Sequence, residues 1–338
     1  MDDNDDLFKI EKTIDFDSKF NNTLLLGDIC YISYGLRPNA HDKKAKGEFK
    51  AKDLISDTKN EINIKEYVEG KYLKPYKIEE IKYLEWNTDR VPNKIARPTF
   101  KELYEFPKLI RGTTTGAIFD DTKLLCNHSC SVLVQYHYLH DVENRSINNS
   151  IKKWTDKTRA ELEVNSQKFD INYILAILNS KFAFSYLNSI RKHRIVNYFY
   201  PDDLKKLPIK KIDIKVQKDI SELAISISNS NQELINEINS FHKWIYRTFN
   251  IDKLSKKLKN YYELDFEEFL KEIKKKKLDI SKRKTQELLE NEFNESVSLV
   301  KSLQNEIQEL ETEINQVVYS LYDLTAEEIA IIENSFSE

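Results

Sequence analysis

Apolar residues follow two different periods along this chain, and the switch between them divides it. Up to about residue 135 they alternate with polar ones or form short runs bounded by turn residues, the pattern of half-buried strands. After Thr23 the stretch LLLGDICYISYGL predicts a first strand, with Ile29, Tyr31 and Ser33 on one face and Cys30, Ile32 and Tyr34 on the other. Gly35 allows a turn, and Arg37 to Lys44 reads as a polar loop, the kind of place where recognition residues sit on a rigid scaffold. A plain solvated loop is the alternative. Between Phe49 and Phe119 short extended runs alternate with turns at Gly70-Lys71 and Asn87-Thr88-Asp89. Phe106 to Arg111 predicts a strand feeding the permissive turn Gly112-Thr113-Thr114-Thr115-Gly116, and Leu124 to Gln135 a single buried strand. From Asp141 to Phe169 the chain is polar and predicts a loop.

The helical period then takes over. Leu175, Leu178, Phe182, Tyr186 and Ile190 describe one buried helix face behind an Asp170 N-cap. That helix ends in Arg191, Lys192, His193 and Arg194. Ile195 to Tyr200, β-branched and aromatic, predicts a strand that Pro201 stops. Ile220, Leu223, Ile227, Leu234, Ile238, Phe241, Ile245 and Phe249 then keep a three-four spacing, with Ser230 in the missing position. Val300, Leu303, Ile307, Leu310, Ile314, Val317 and Leu321 keep it strictly. The connector between them, with Leu254, Leu258, Tyr261, Phe266 and Phe269, predicts shorter helices. All six glycines lie at or before Gly116, which suits long helices beyond it. The expectation is an α+β chain: an acidic leader over residues 1–22, a β-rich mixed domain over 23–212, and an antiparallel helical, coiled-coil region over 213–338.

Charge and composition narrow the chemistry. With 53 Lys and Arg against 56 Asp and Glu, the net charge of -3 does not by itself advertise a nucleic-acid binder; a basic face would have to be segregated locally. No apolar run approaches the roughly 20 residues of a membrane span, and MDDNDDLFKI is unlike a secretory signal, so the cytoplasm is the default expectation. Three cysteines argue against a disulfide framework. Cys126, His128 and Cys130 invite a zinc site, but one extended strand cannot close a tetrahedron, so core packing is the better reading. Pro201-Asp202-Asp203-Leu204-Lys205 superficially matches a nuclease metal motif without its separated strand positions, and no P-loop is present.

Several phrases carry a resemblance to a known family. LAILNSK at 175–181, YPDDLKKLPI at 200–209, LGDICYISYGL at 26–36, YLEWNTDRVPNKIARPTF at 83–100, FPKLI at 106–110 and VVYSLYDLTAEEIAIIE at 317–333 resemble the TaqI-like C-terminal specificity domain of bacterial adenine-specific DNA methyltransferases and fused restriction-modification enzymes. The resemblance implies recognition of double-stranded DNA. It also implies a partner or upstream methyltransferase domain, carrying S-adenosylmethionine, that flips and methylates adenine. This chain has no glycine-rich strand-to-helix turn for that cofactor, and no two of its seven prolines are adjacent, as the catalytic Asn/Asp-Pro-Pro-Tyr loop requires. The expectation is binding, with no catalytic or metal residues on this chain. By residue type and placement the DNA-contact candidates are Arg37, Arg90, Lys94, Arg97, Arg111, Thr113, Thr114, Arg191, Lys192 and Arg194. Two alternatives stay open: a half specificity subunit, similar to those of type I restriction systems, forming a homodimer through its helices, and a coiled-coil interaction module without a DNA role.

Overall fold

The computed structural model describes residues 14–191, 198–251, 253–275 and 282–336. The chain is α+β, with small, mostly antiparallel sheets and two long helices. It forms two compact units, Met1–Ala224 with Ile314–Glu338, and Ile225–Glu313. Among the described residues no helix is long and apolar enough to cross a membrane.

Two sheets frame the first unit. One runs β11 (Ala117–Asp120), β10 (Lys108–Gly112), β13 (Cys130–Gln135), β2 (Cys30–Tyr34), all antiparallel. The other runs β12 (Leu125–Cys126), β5 (Asn63–Val68), β8 (Lys82–Glu85), β4 (Ile55–Ser56), with β12 parallel to β5. Tyr31, Ile110 and Val132 of the first sheet share one apolar core with Tyr67, Val68 and Leu84 of the second. Three two-stranded ladders complete the set: β1 (Thr23–Leu25) with β14 (Pro208–Lys210), β3 (Arg37–Ala40) with β9 (Ile95–Arg97), and β6 (Leu73–Lys74) with β7 (Lys77–Ile78). Two single-turn helices, α1 (Asp42–Ala45) and α2 (Glu102–Glu105), sit in the connections.

Several expectations change here. Arg37 to Lys44 is not a loop: it forms β3 and α1, because β9 supplies a distant partner for a polar edge strand. The stretch Leu124 to Gln135 breaks into β12 and β13. Asn127 Oδ1 accepts from the Ser129 hydroxyl at 2.5 Å and the Gly70 amide at 3.3 Å, which turns the chain between Cys126 and Cys130. Gly35 packs against this turn, where a Cβ would sit 2.3 Å from the Asn127 carbonyl oxygen. The polar segment 141–169 is helical, as α3 (Arg145–Trp154) and α4 (Arg159–Ser166). Asn144 caps the first, and a Thr158–Glu161 capping box opens the second. Of the expected leader, residues 14–22 are held in place, with the buried Phe16 edge-on to Phe182 and Tyr186, and Lys19 paired to Glu328 at 2.8 Å.

Asp170 does cap a helix, accepting from the Asn172 and Tyr173 amides. The expected single helix is two, α5 (Ile171–Asn179) and α6 (Lys181–Ser189), because Ser180 is extended and its hydroxyl caps α6 through the Ala183 amide. Asn179 fixes the break: its amide group bonds both the N–H and the carbonyl of Ala117 on β11, at 2.7 and 2.9 Å. Tyr173 to Leu178 are buried without interruption, so α5 is apolar all round, and each of its large aliphatic side chains contributes about 1.5–3 kcal/mol by leaving water. Of the strand expected over Ile195 to Tyr200, residues 195–197 lie outside the described residues and Tyr198 to Tyr200 form no ladder. Pro201 opens a helix, α7 (Pro201–Leu204), as proline does at a first helical position. Within it Asp203 accepts from the Tyr200 amide, and Asp202 pairs with Lys205 at 3.0 Å.

The long helices are α8 (Ile214–Phe249) and α11 (Arg283–Leu321), each contributing to both units, and α9 (Lys256–Lys259) and α10 (Phe266–Lys274) lie between them. In the second unit Ser230 meets Glu306 and Glu237 meets Ser296, a reversed order that makes the pair antiparallel. At its centre Phe241 stacks on Tyr261 and Phe269 on Phe293, with Tyr261 edge-on to Phe293. Beyond Ile314 the buried positions of α11 and the residue after it are Val318, Tyr319 and Tyr322, not Val317 and Leu321, because a straight 3.6-residue helix drifts away from a seven-residue repeat. A last helix, α12 (Ala326–Asn334), returns to the first unit, where Lys181 and Tyr319 both reach Glu333.

Candidate functional site

The antiparallel pairing of β3 with β9 sets Arg37 directly opposite Arg97, residues sixty positions apart in sequence and both exposed. The Arg97 guanidinium lies 5.6 Å from the ring centre of Tyr34, at the end of β2. Tyr34 stands edge-on to Tyr200 at 6.3 Å, and Tyr200 stacks almost parallel on Tyr198 at 6.3 Å. Tyr198 and Tyr200 are about two-fifths exposed, while Phe199 between them is fully buried. A row of aromatic rings with arginine at one end therefore faces solvent.

His128, in the Asn127 turn, feels both arginines. Its pKa is held below the ordinary histidine value, first by partial burial and then by the positive charge of Arg37 and Arg97. An open cleft of about 570 Å³ adjoins the aromatic row, lined by Tyr34, Arg97, Thr99, Asn144, Ser146 and Lys205. Asp202 is the carboxylate on this lining, held below its ordinary pKa chiefly by its bond to Lys205. The arrangement offers cations, hydroxyl and amide groups, and stacking faces, with no convergent nucleophile and base. Among the described residues no three His, Cys, Asp or Glu side chains are grouped to hold a metal ion, and all three cysteines are buried as free thiols.

The other expected contacts fare differently. Arg111 is 4% exposed: it donates to its neighbour's carbonyl, Gly112 O, at 3.0 Å, its guanidinium lies 4.8 Å from the Phe199 ring centre, and burial pushes its pKa down to about 10. Arg191 lies over the same ring at 5.1 Å. The two arginines thus meet at Phe199, whose amide donates to the Thr113 carbonyl at 2.7 Å. Thr113 is buried and Thr114 exposed, so this cluster tethers the segment from Tyr198 onward to the β10–β11 turn and leaves Thr114 at the surface. Arg111 and Thr113 are therefore withdrawn as direct contacts. Arg90 is committed to the buried Glu85, which accepts from its Nε at 3.0 Å. Lys94, partly exposed, reaches Glu48 at 3.3 Å. Lys192 and Arg194 lie outside the described residues.

Sequence reasoning missed Tyr34, His128, Tyr198 and Tyr200. The period-two alternation of Tyr198-Phe199-Tyr200 does put the two tyrosines on one face, but nothing local brings Tyr34 or Arg97 to them.

A family described only as a domain of unknown function, DUF8810, matches residues 213–318, which is the long helical stretch and under half of the chain. No curated protein matches the chain.

Proposed function

We propose that the chain is a sequence-specific DNA-recognition module that positions a separate adenine-N6 methyltransferase or restriction-modification domain on its target. The observation that carries this reading is the paired Arg37 and Arg97 beside the exposed row Tyr34, Tyr200 and Tyr198. Arginine forks bind phosphates or guanine edges bidentately, and the tyrosine hydroxyls, Asn144, Ser146 and Thr114 are of the types that bond phosphates and base edges. The net charge of -3 is compatible with this reading, because Arg37 and Arg97 stand together on this face. The resemblance to TaqI-like specificity domains adds the expected partner: a catalytic domain that holds S-adenosylmethionine and flips the adenine, chemistry for which this chain carries no motif.

A second reading has its own observation. Leu288 and Leu299 on α11 are both 46% exposed and stand eleven residues apart, three helical turns, so they share a face. That face suits a half specificity subunit pairing with a second copy, or a coiled-coil interaction without DNA.

Selection from a random duplex pool, repeated over a salt series, tests the proposal. One enriched motif, lost in Arg37→Ala/Arg97→Ala together with a salt slope shallower by about 2, supports it. A split motif with a dimeric protein favours the half subunit. Unselective binding, or none at low salt, refutes sequence recognition by this chain.

A further inference from the structure

A second recess opens on the other side of the strap Ala96 to Phe100, and its chemistry differs from that of the cleft beside Arg97. Pro98, Thr99 and Phe100 line both. The recess holds about 380 Å³, within the range of small-molecule sites, and its apolar walls include Trp86, Phe100 and the ring of Tyr104. Trp86 and Phe100 are partly buried against the core, which leaves part of each ring available at the recess. Thr99 stands at φ +60°, an unusual conformation for a β-branched residue, so the strap keeps a costly backbone geometry where it separates the two openings.

Around these aromatic walls the charge is one-sided. Lys44, Lys65, Lys101 and Lys123 line the recess against a single carboxylate, Glu105. Lys123 bonds Glu105 at 2.8 Å and Lys101 approaches it at 4.0 Å. Glu105 is held below its ordinary pKa first by Lys123, then by Lys101 and Lys65, so three cations crowd one anion. Lys44 is turned to a backbone carbonyl, Asn93 O, at 3.1 Å. Coulomb repulsion among the lysines is relieved by a further negative charge at the mouth. An apolar aromatic slot with an excess of ammonium groups at its rim matches one ligand shape: a planar ring carrying an anionic group.

We infer that this recess is a mononucleotide pocket, in which a nucleobase stacks on Trp86 and Phe100 while its 5′-phosphate meets Lys65, Lys101 and Lys123. Stacking on aromatic side chains is open to every base, so the pocket selects a nucleotide over a nucleoside or a bare phosphate. The nucleotide could be free in solution or an unpaired base of a nucleic acid; the inference does not rest on duplex recognition at Arg37 and Arg97.

The full chain carrying Trp154→Phe and Trp244→Phe keeps Trp86 as the sole tryptophan, and its emission reads the pocket directly. Deoxynucleoside monophosphates are expected to quench it saturably below roughly 1 mM, with calorimetry on the unaltered chain giving the same affinity. Deoxynucleosides and inorganic phosphate are each expected to bind at least about tenfold more weakly, the equivalent of losing one charge-assisted contact or one stacked ring. Lys65→Ala/Lys123→Ala removes one half-buried and one exposed lysine side chain and leaves the fold intact by circular dichroism; it is expected to weaken the monophosphate about tenfold and the nucleoside hardly at all. A duplex with one unpaired base distinguishes the sources: quenching tighter than by the free nucleotide assigns the pocket to an extruded base, and quenching by the free nucleotide alone assigns it to a soluble ligand. Absence of quenching by either, equal binding of inorganic phosphate, or an unchanged affinity in the lysine variant overturns the inference.

Discussion

Replacing Lys108 by methionine tests how the β10–β11 hairpin is held, and through it the tether at Phe199. Lys108 has no solvent exposure, and its Nζ lies 2.5 Å from Asp120 Oδ2, its cross-strand partner. It also donates to the carbonyls of Tyr104 at 3.0 Å and Phe106 at 3.4 Å. Lys108→Met keeps the volume and removes the charge, leaving a buried carboxylate unpaired, a change that costs about 3–5 kcal/mol. Asp120 retains the Thr122 hydroxyl at 2.6 Å and the Leu124 amide at 3.1 Å, which places the expected loss at the lower end, about 3 kcal/mol. In a Trp244→Phe background the emission of Trp86 and Trp154 follows the first unit alone through urea unfolding. With a slope of roughly 2–3 kcal/mol per molar, the midpoint should fall by about 1–1.5 M at unchanged slope. Asp120→Asn added to Lys108→Met should cost less than the sum of the single changes by about 1–2 kcal/mol. A midpoint shift below about 0.3 M for Lys108→Met, or strict additivity, would refute the reasoning that Lys108 compensates a buried carboxylate.

Three further outcomes follow from other contacts. His128 sits below its ordinary pKa first through partial burial and then because Arg37 and Arg97 are positive, so a phosphate that neutralises them lifts it part of the way back and binding takes up a proton; affinity for DNA should rise as pH falls below about 6.5, by at most about tenfold per unit, and His128→Asn should flatten that dependence in an anisotropy titration. Asn179→Ala strands the N–H of the fully buried Ala117, whose carbonyl keeps the Tyr76 amide at 3.0 Å, and should cost about 1–3 kcal/mol by the same unfolding assay, a loss within 0.5 kcal/mol counting against its role at the helix break. Phe293→Ala removes a ring stacked on Phe269 at 4.7 Å in the second unit and should cost about 3–5 kcal/mol there, read through Trp244 emission, while Trp86 is untouched; a simultaneous loss at both probes would contradict the division into two units.

The sequence was most readable where a pattern repeats. The spacing of Ile227, Leu234, Phe241 and Ile245 located α8, the series from Val300 located α11, and Ser230 indeed occupies a buried position, bonded to Glu306. Asp170 and the turn after Arg111 were legible because caps and glycine turns act over a few residues. Short polar helices were not: α3 and α4 bury little beyond Ile147, Ile151 and Leu162, although Thr158 and Glu161 carried a capping-box signal that hydrophobic periodicity ignores. The candidate site was the least legible part. Arg37 meets Arg97 only through long-range pairing, and Arg111 alternates into the interior on a strand whose two faces are both covered, which residue type cannot reveal.

The discontinuity of the first unit has a consequence for biosynthesis. Tyr322 is fully buried, stacks on Phe182 at 3.9 Å and donates to the Pro208 carbonyl at 2.6 Å, yet it is translated after the whole of the second unit. A nascent chain can close the helical unit while the β-rich unit still lacks Tyr319, Tyr322 and α12. Any product that stops before Ile314 leaves Phe182 and its neighbours open to proteases and chaperones, so completion of the first unit reports that translation has passed through the second.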